Sequence, residues 1–115
     1  MVIRKGQHRV ETRNHARGGD GFVTLHHLAE SEQTFNHCRM IVRTVIEPGS
    51  SMGYHAHENE MEFFYVLSGE LEVNDNGQNV VLHPGDTVCS GEGEGHSLRA
   101  HGNQPAEYLA VVVRK

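Results

Sequence analysis

Short β-strands separated by turns that contain glycine or proline constrain this chain more than any other feature of its sequence. Apolar and β-branched segments recur at intervals of about 8 to 12 residues, and no segment carries the period of a long helix. Turns are indicated at Pro48-Gly49, Asn76-Gly77 and Pro84-Gly85. The predicted strands are Phe22–Leu28, Arg39–Ile46, Met61–Leu67, Glu70–Val73, Val80–Leu82, Thr87–Ser90 and Tyr108–Val113. Such a series predicts an all-β sandwich or barrel.

The length of 115 residues fits one domain. We expect residues 1–21 to form an N-terminal arm that packs on the barrel or on a partner, and residues 22–115 to form the barrel. The sequence has no apolar run long enough for a membrane span, and its net charge of −5 argues against nucleic acid as the main partner. Two cysteines are too few for a disulfide framework, so a cytoplasmic location is expected.

Charge is distributed unevenly along the chain. Five basic residues fall within the first 17 positions, whereas no Lys or Arg occurs from Thr44 to Leu98. That central stretch carries ten carboxylates: Glu47, Glu58, Glu60, Glu62, Glu70, Glu72, Asp75, Asp86, Glu92 and Glu94. The asymmetry predicts a field that attracts cations to the central region.

A group of potential metal ligands lies within this acidic stretch. His55 and His57 are two residues apart, so on an extended strand both side chains point to the same face. If the chain turns back after His57, Glu62 returns to the two imidazoles. His96 follows a glycine-rich loop that would let it approach as a fourth ligand. Imidazole and carboxylate ligands suit one divalent ion of Mn, Fe, Ni, Co or Zn, and the residues alone do not choose among them.

The spacing of these residues resembles a known family. Gly49 to Gly69 matches the first motif of the cupin superfamily, G-x5-H-x-H-x3or4-E-x6-G, at every defined position. The second motif, G-x5-P-x-G-x2-H-x3-N, is similar to residues 85–100, with Gly91 in place of Pro and Ala100 in place of Asn. The length and the Arg17-to-Gly21 run also resemble small single-domain cupins of the oxalate decarboxylase-like type.

This resemblance implies a double-stranded β-helix, also called a jelly-roll barrel, built from two antiparallel sheets with little helix. It also implies a metal held by His55, His57, Glu62 and His96, with open positions for water and substrate. Cupins of this kind are usually homodimers, and the basic N-terminal arm could cross to the partner subunit.

Other residues are weaker candidates for the site. Glu60 shares a strand face with Glu62 and is either a supporting acid, an alternative ligand or a solvated carboxylate. Tyr54 and Tyr65 could orient substrate or donate a proton, although Tyr65 also fits packing between the sheets or at a dimer face. Arg39 and Arg43 share a strand face and could bind a substrate carboxylate, or they could face solvent. Cys89 is expected to be buried in its strand.

Three functions remain open at this point. The first is a metal-dependent enzyme acting on a small polar carboxylate, of the decarboxylase, dioxygenase or isomerase type. The second is a non-catalytic cupin that binds or senses a small molecule. The third and lowest-ranked is a sugar-binding or sugar-isomerising cupin, because only 6% of the residues are the aromatic ones that stack on sugars.

Overall fold

The computed structural model describes residues 1–115, and ten β-strands make up most of the chain. The only helical elements are three short 3-10 turns, at Lys5–Gln7, Ala16–Gly18 and Ser31–Thr34. No helix is long and apolar enough to cross a membrane. The strands are β1 (Arg9–Asn14), β2 (Phe22–Ala29), β3 (Cys38–Ile46), β4 (Ser51–Ala56), β5 (Glu60–Ser68), β6 (Leu71–Asp75), β7 (Gln78–Leu82), β8 (Thr87–Ser90), β9 (Gly95–Ala100) and β10 (Ala106–Arg114).

The strands form two sheets in which every neighbouring pair is antiparallel. The larger sheet has the order β1-β2-β3-β10-β5-β8, and the smaller one has the order β4-β9-β6-β7. The core lies between the sheets because alternate residues of each strand point inward. Its largest apolar side chains are Tyr108, Phe64, Leu25, Ile46 and Leu71. The predicted all-β barrel of two antiparallel sheets with little helix is confirmed.

The Asn76-Gly77 hairpin shows how the turns determine strand register. Asn76 has a φ of 50° and Gly77 a φ of 95°, both in the left-handed region that two-residue hairpin turns require. The turn pairs β6 with β7 from Leu71 opposite Leu82 to Asp75 opposite Gln78. This register places Leu71 and Val73 in the core.

The N-terminal segment lies against the barrel. Strand β1 pairs with β2 along its whole length and forms one edge of the larger sheet. The chain then passes over β4, where the Ser51 amide donates to the Asp20 carbonyl at 2.9 Å. This route brings Arg13 and Arg17 to a cavity that three of the predicted metal ligands also line. The division into an arm and a barrel at residue 21 stays a prediction.

Candidate metal centre

Both sheets contribute to the cluster of predicted ligands. His55 lies on β4 directly opposite His96 on β9, and a break in the β4–β9 register precedes His55. His57 follows the end of β4, and Glu62 lies on β5 of the other sheet. One ligand atom from each of these four residues lies within 4.8 Å of the others. Since His57 and His96 are only 3% and 0% exposed, the cluster is largely closed to solvent.

Hydrogen bonds at the outer ring nitrogens orient the three imidazoles. His55 Nδ1 donates to the Gly53 carbonyl at 2.8 Å, and His57 Nδ1 donates to Glu60 Oε1 at 2.7 Å. His96 Nδ1 is 2.9 Å from the hydroxyl of Ser90. A carbonyl or carboxylate oxygen only accepts, so a neutral His55 or His57 carries its lone pair on Nε2. The inner nitrogens are thereby directed at the middle of the cluster.

The middle of the cluster consequently brings the inner nitrogens of neutral His55 and His57 and the Glu62 carboxylate together with His96 Nε2. His55 Nε2 and His96 Nε2 are 3.2 Å apart, and Glu62 Oε1 is 2.7 Å from His57 Nε2 and 3.0 Å from His96 Nε2. Acceptors that converge in a buried place need a proton or a cation between them. Three imidazole nitrogens and one carboxylate oxygen match the ligands that divalent transition metals prefer. The residues present therefore fit a metal ion.

Electrostatic effects within the cluster favour the metal-binding protonation state of His55 and Glu62, a neutral imidazole and an ionised carboxylate. Burial lowers the pKa of His55 to about 4, so this imidazole is neutral at pH 7. Burial acts to raise the pKa of Glu62, but hydrogen bonds from His57 and His96 outweigh it and hold that pKa at about 2. The hydrogen bond to Glu62 raises the pKa of His57, so this residue keeps a proton most readily when no metal competes.

Glu60 supports the cluster through His57. One of its oxygens accepts from His57 Nδ1, and its two oxygens accept from Arg39 Nε and Nη2, each at 2.8 Å. The paired guanidinium lowers the pKa of Glu60, which keeps the carboxylate ionised. A carboxylate on the outer nitrogen of a ligating imidazole fixes its tautomer and raises its basicity. Glu60 thus occupies the position of a supporting acid.

A narrow cavity opens beside the cluster. The space available to the centres of water molecules measures about 30 Å³, enough for a few small groups. His55, His57 and Glu62 line one side, and apolar residues of β3 and β10 line another. Glu62 is the only carboxylate in the lining. Three arginines also line the cavity, Arg13, Arg17 and Arg39.

The remaining predicted site residues lie in different places. Arg39 borders the cavity, but Glu60 already neutralises its guanidinium. Arg43 lies outside the cavity and forms an ion pair with Glu107. Tyr54 and Tyr65 are also outside the lining, with 55% and 40% of their surface exposed. The structure therefore does not bring these two tyrosines or Arg43 together with the four-residue cluster.

Sequence reasoning missed residues that border or support the cluster. Ser90, which is fully buried, holds His96, and the alternation along β8 leaves the neighbouring Cys89 exposed. The expectation that Cys89 is buried was wrong because β8 is an edge strand whose inward positions are 88 and 90. Arg13 and Arg17 were grouped only as members of a basic arm. A charged strand and a glycine-rich turn give no local signal that they reach a cavity.

A sequence profile described as the cupin domain matches residues 42–112, well over half of the chain. The chain belongs to the cupin family. The match covers strands β4, β5 and β9 and includes the four candidate ligands His55, His57, Glu62 and His96. The family that the motifs indicated is thereby confirmed.

Relatives of this cupin include an oxalate-binding protein of Thermotoga maritima, which is 40% identical over 113 residues, or 98% of this chain and 93% of that protein. A crystal structure of a predicted oxalate decarboxylase from Thermotoga maritima superimposes with a TM-score of 0.95 at 39% identity, covering 100% of both chains. The polyketide synthase protein TcmJ of Streptomyces glaucescens is 31% identical over 67 residues, which are 58% of this chain and 45% of that protein. The cupin is thus similar to an oxalate-binding protein over almost its full length.

Proposed function

We propose that this cupin holds one divalent transition metal on His55, His57, Glu62 and His96 and binds a small carboxylate beside it, with oxalate as the first candidate. The observation that carries the proposal is the convergence of four potential ligand atoms, three imidazole nitrogens and one carboxylate oxygen, within 4.8 Å in a largely buried place. The oxalate-binding relative, which is similar over almost the whole chain, supports the choice of ligand. Mn, Fe, Ni, Co and Zn all remain compatible with the ligand set.

A bound metal would supply Lewis-acid chemistry to a carboxylate oxygen. The chain's own residues perform the rest of the binding. The three imidazoles and Glu62 hold the ion, and the hydrogen bonds at Gly53, Glu60 and Ser90 keep the imidazoles oriented. The narrow cavity favours a small ligand. Apolar neighbours exclude water, which strengthens the electrostatic attraction of an anion.

Turnover of the bound carboxylate, as in a decarboxylase or dioxygenase, is the second candidate function. The oxalate decarboxylase-type structure supports it. The cavity, however, offers few proton donors, because Glu62 is its only carboxyl group and is one of the candidate ligands. Tyr108 also borders the cavity, but burial raises the pKa of its phenol and makes it a poor acid. This scarcity favours binding over decarboxylation.

The sugar-binding alternative has less support. Sugar sites use exposed aromatic faces for stacking. Besides the histidines, Tyr108 is the only aromatic residue that lines the cavity. Its ring packs edge-on against Phe64 in the core, with ring centres 5.1 Å apart. No aromatic platform is therefore available beside the candidate ligands.

Two measurements test the proposal in sequence. Elemental analysis of untagged protein purified without chelator should find about one Mn, Fe, Ni, Co or Zn per chain, and the His57→Ala variant should contain none in stoichiometric amount. Isothermal titration of the metal-loaded protein with oxalate should then give a stoichiometry near one. Full metal occupancy in His57→Ala would refute the assignment of the metal site. Metal-loaded protein that does not bind oxalate would refute oxalate as the ligand.

A turnover assay on the same loaded sample separates the two candidate functions. Carbon dioxide, formate and oxygen consumption are followed with oxalate as substrate under air. Product that appears with multiple turnovers per metal indicates an enzyme. Stoichiometric binding without any product indicates a binding or sensing protein.

We also infer that two copies associate through the outer face of the larger sheet. Tyr65 lies opposite Leu109, and Phe63 lies opposite Val111, so these side chains form adjacent apolar rows outside the core. Leu67 extends the patch and is 42% exposed. Light scattering should give a dimer mass for the wild type and a monomer mass for Leu109→Lys. Val81→Lys on the smaller sheet, as the control, should stay dimeric.

The cysteines bear on where the protein works. Cys38 and Cys89 are both free thiols, which fits a reducing compartment. We place the protein in the cytoplasm on this ground, and fractionation of cells producing the native chain tests it.

A further inference from the structure

Three arginines line the cavity beside the candidate metal ligands, and the guanidinium groups of two of them already have partners. Arg13 donates to Glu11 at 2.7 Å, and Arg39 donates to both oxygens of Glu60. Arg17 forms no side-chain hydrogen bond and no ion pair. It is therefore the one cationic group at this cavity whose charge no protein carboxylate neutralises.

The loop that carries Arg17 is fastened to the strand that carries His55. A side chain at Gly53 would place its first carbon 2.1 Å from the Arg17 carbonyl, so the loop packs directly on the β4 backbone. Gly19 meets the Ser51 carbonyl just as closely, at 2.2 Å from an added Cβ. The Asp20 amide also donates to the Ser51 hydroxyl at 2.9 Å. These contacts position the Arg17 backbone relative to His55.

Arg17 adopts a backbone conformation that costs energy for a residue with a side chain. Its φ is 53° and its ψ is 30°, in the left-handed region, although the next two residues are glycines that could take that conformation more easily. Arg17 is an exposed residue that lines the cavity together with His55, so the loop places it beside the cluster.

A count of charges shows what the loaded site lacks. A divalent ion and Glu62 together leave one positive charge, and Arg17 adds a second. The Arg13–Glu11 and Arg39–Glu60 pairs contribute no net charge at the cavity. A ligand with two negative charges balances the site, whereas a monoanion leaves one charge uncompensated in a poorly hydrated place.

We propose that Arg17 gives this site its preference for dianionic ligands by binding the carboxylate group that extends from the metal toward the cavity mouth. This inference rests on the proposed function, because it assumes that a carboxylate ligand binds beside the metal. It adds the residue that selects a dianionic ligand over a monoanionic one. A planar guanidinium suits this role since it binds a carboxylate through two parallel hydrogen bonds.

The test compares two ligands on two neutralised variants. Metal-loaded wild type, Arg17→Gln and Arg4→Gln are titrated calorimetrically with oxalate and with acetate, and metal content is measured in each sample. Arg4 is an exposed residue outside the cavity, so Arg4→Gln makes the same change in net charge. Loss of a charge-assisted bond predicts that Arg17→Gln weakens oxalate binding about 10- to 100-fold. Acetate binding should change by less than about threefold, and Arg4→Gln should match the wild type for both ligands.

The outcomes separate this inference from the proposed function. Wild type that binds metal but not oxalate overturns both. Wild type that binds oxalate, with Arg17→Gln equally tight or with oxalate and acetate weakened to the same degree, overturns the role of Arg17 alone. Thermal melting and metal content show whether Arg17→Gln is folded and loaded. Should that variant misfold, Arg17→Lys replaces it, because the retained charge and the lost paired geometry predict intermediate oxalate affinity.

Discussion

Glu60 offers the sharpest test of how the protein supports its candidate metal, and the perturbation is Glu60→Gln. The amide keeps the shape of the side chain, but its oxygen accepts the His57 Nδ1 hydrogen bond as a neutral group. A hydrogen bond to a charged group contributes about 1.5–3 kcal/mol and a neutral one about 1 kcal/mol, so the single 2.7 Å bond should lose about 0.5–2 kcal/mol. This loss corresponds to metal affinity weakened about 2- to 30-fold, which overlaps the lower part of the roughly 10- to 100-fold range known for groups that support ligating histidines.

Glu60 also accepts two hydrogen bonds from Arg39, which affect a different measurement. These bonds do not involve His57, so their loss should lower the free energy of unfolding of the metal-free protein rather than its metal affinity. The Arg39 side chain is 33% exposed, so water partly replaces the lost partner and the destabilisation should stay near 1 kcal/mol. The two effects can therefore be measured separately, by metal competition and by denaturant unfolding.

The assay is competition for Co²⁺ or Zn²⁺ against a chromogenic chelator, with Glu58→Gln as the matched control. Glu58 is exposed and lies two positions earlier, in the turn before β5, so this variant removes the same charge nearby without removing a hydrogen bond to the His57 ring. Glu58→Gln should bind metal within about twofold of the wild type. Equal affinities in wild type and Glu60→Gln, or equal losses in the two variants, would refute the idea that Glu60 acts through the His57 ring.

Three further predictions concern protons, the core and the loop. The hydrogen bond to Glu62 raises the pKa of His57 above its ordinary value, whereas His55 is already neutral. Metal binding near pH 6 should therefore release about one proton, and metal affinity should fall as the pH is lowered. An indicator dye that records no proton release would contradict this. Phe64→Ala should lower the free energy of unfolding by about 3–5 kcal/mol in urea, since Phe64 is 1% exposed and contacts His96 and Tyr108; a loss below 1 kcal/mol would contradict it. Gly53→Ala should both destabilise the protein and weaken oxalate binding, because the new methyl group collides with the Arg17 carbonyl. Unchanged oxalate affinity in a destabilised variant would show that the position of the Arg17 loop does not affect oxalate binding.

Much of the fold could be predicted because most strands bury one face. Residues 87–90 were predicted with the observed bounds of β8, and the predicted strands over residues 39–46 and 61–67 differ from β3 and β5 by one residue at their ends. Strands β4 and β9 were not among the predicted strands, and neither was β1. Its inward side chains Glu11 and Arg13 are charged, and they are accommodated only because Glu11 pairs with Arg13 and with the buried His27. A pattern that assigns charged residues to solvent cannot recognise such a strand.

Some residues of the site could be predicted from their spacing in the sequence, and others are brought to the site only by the fold. The four candidate ligands could be predicted because His55 and His57 share a strand face and the motif sets the distance to Glu62. Ser90 could not be predicted, since a serine on a short edge strand has two equivalent faces. The role of Glu60 remained ambiguous in the sequence because the choice depended on Arg39, which lies 21 residues earlier and on another strand.

The fold brings basic residues from outside the acidic central stretch to the cavity beside the candidate metal ligands. The central stretch without Lys or Arg suits a cation, and the same absence argues against binding an anion there. The fold resolves the conflict because it carries basic residues from outside that stretch to the cavity mouth: Arg13 and Arg17 from the N-terminal segment, and Arg39 from β3. Since Glu11 and Glu60 neutralise two of these three, the positive charge left for a ligand is set by pairing rather than by the number of arginines. It follows that removing Glu11, far from the ligands in sequence, should free Arg13 and strengthen anion binding, whereas removing Arg17 should weaken it.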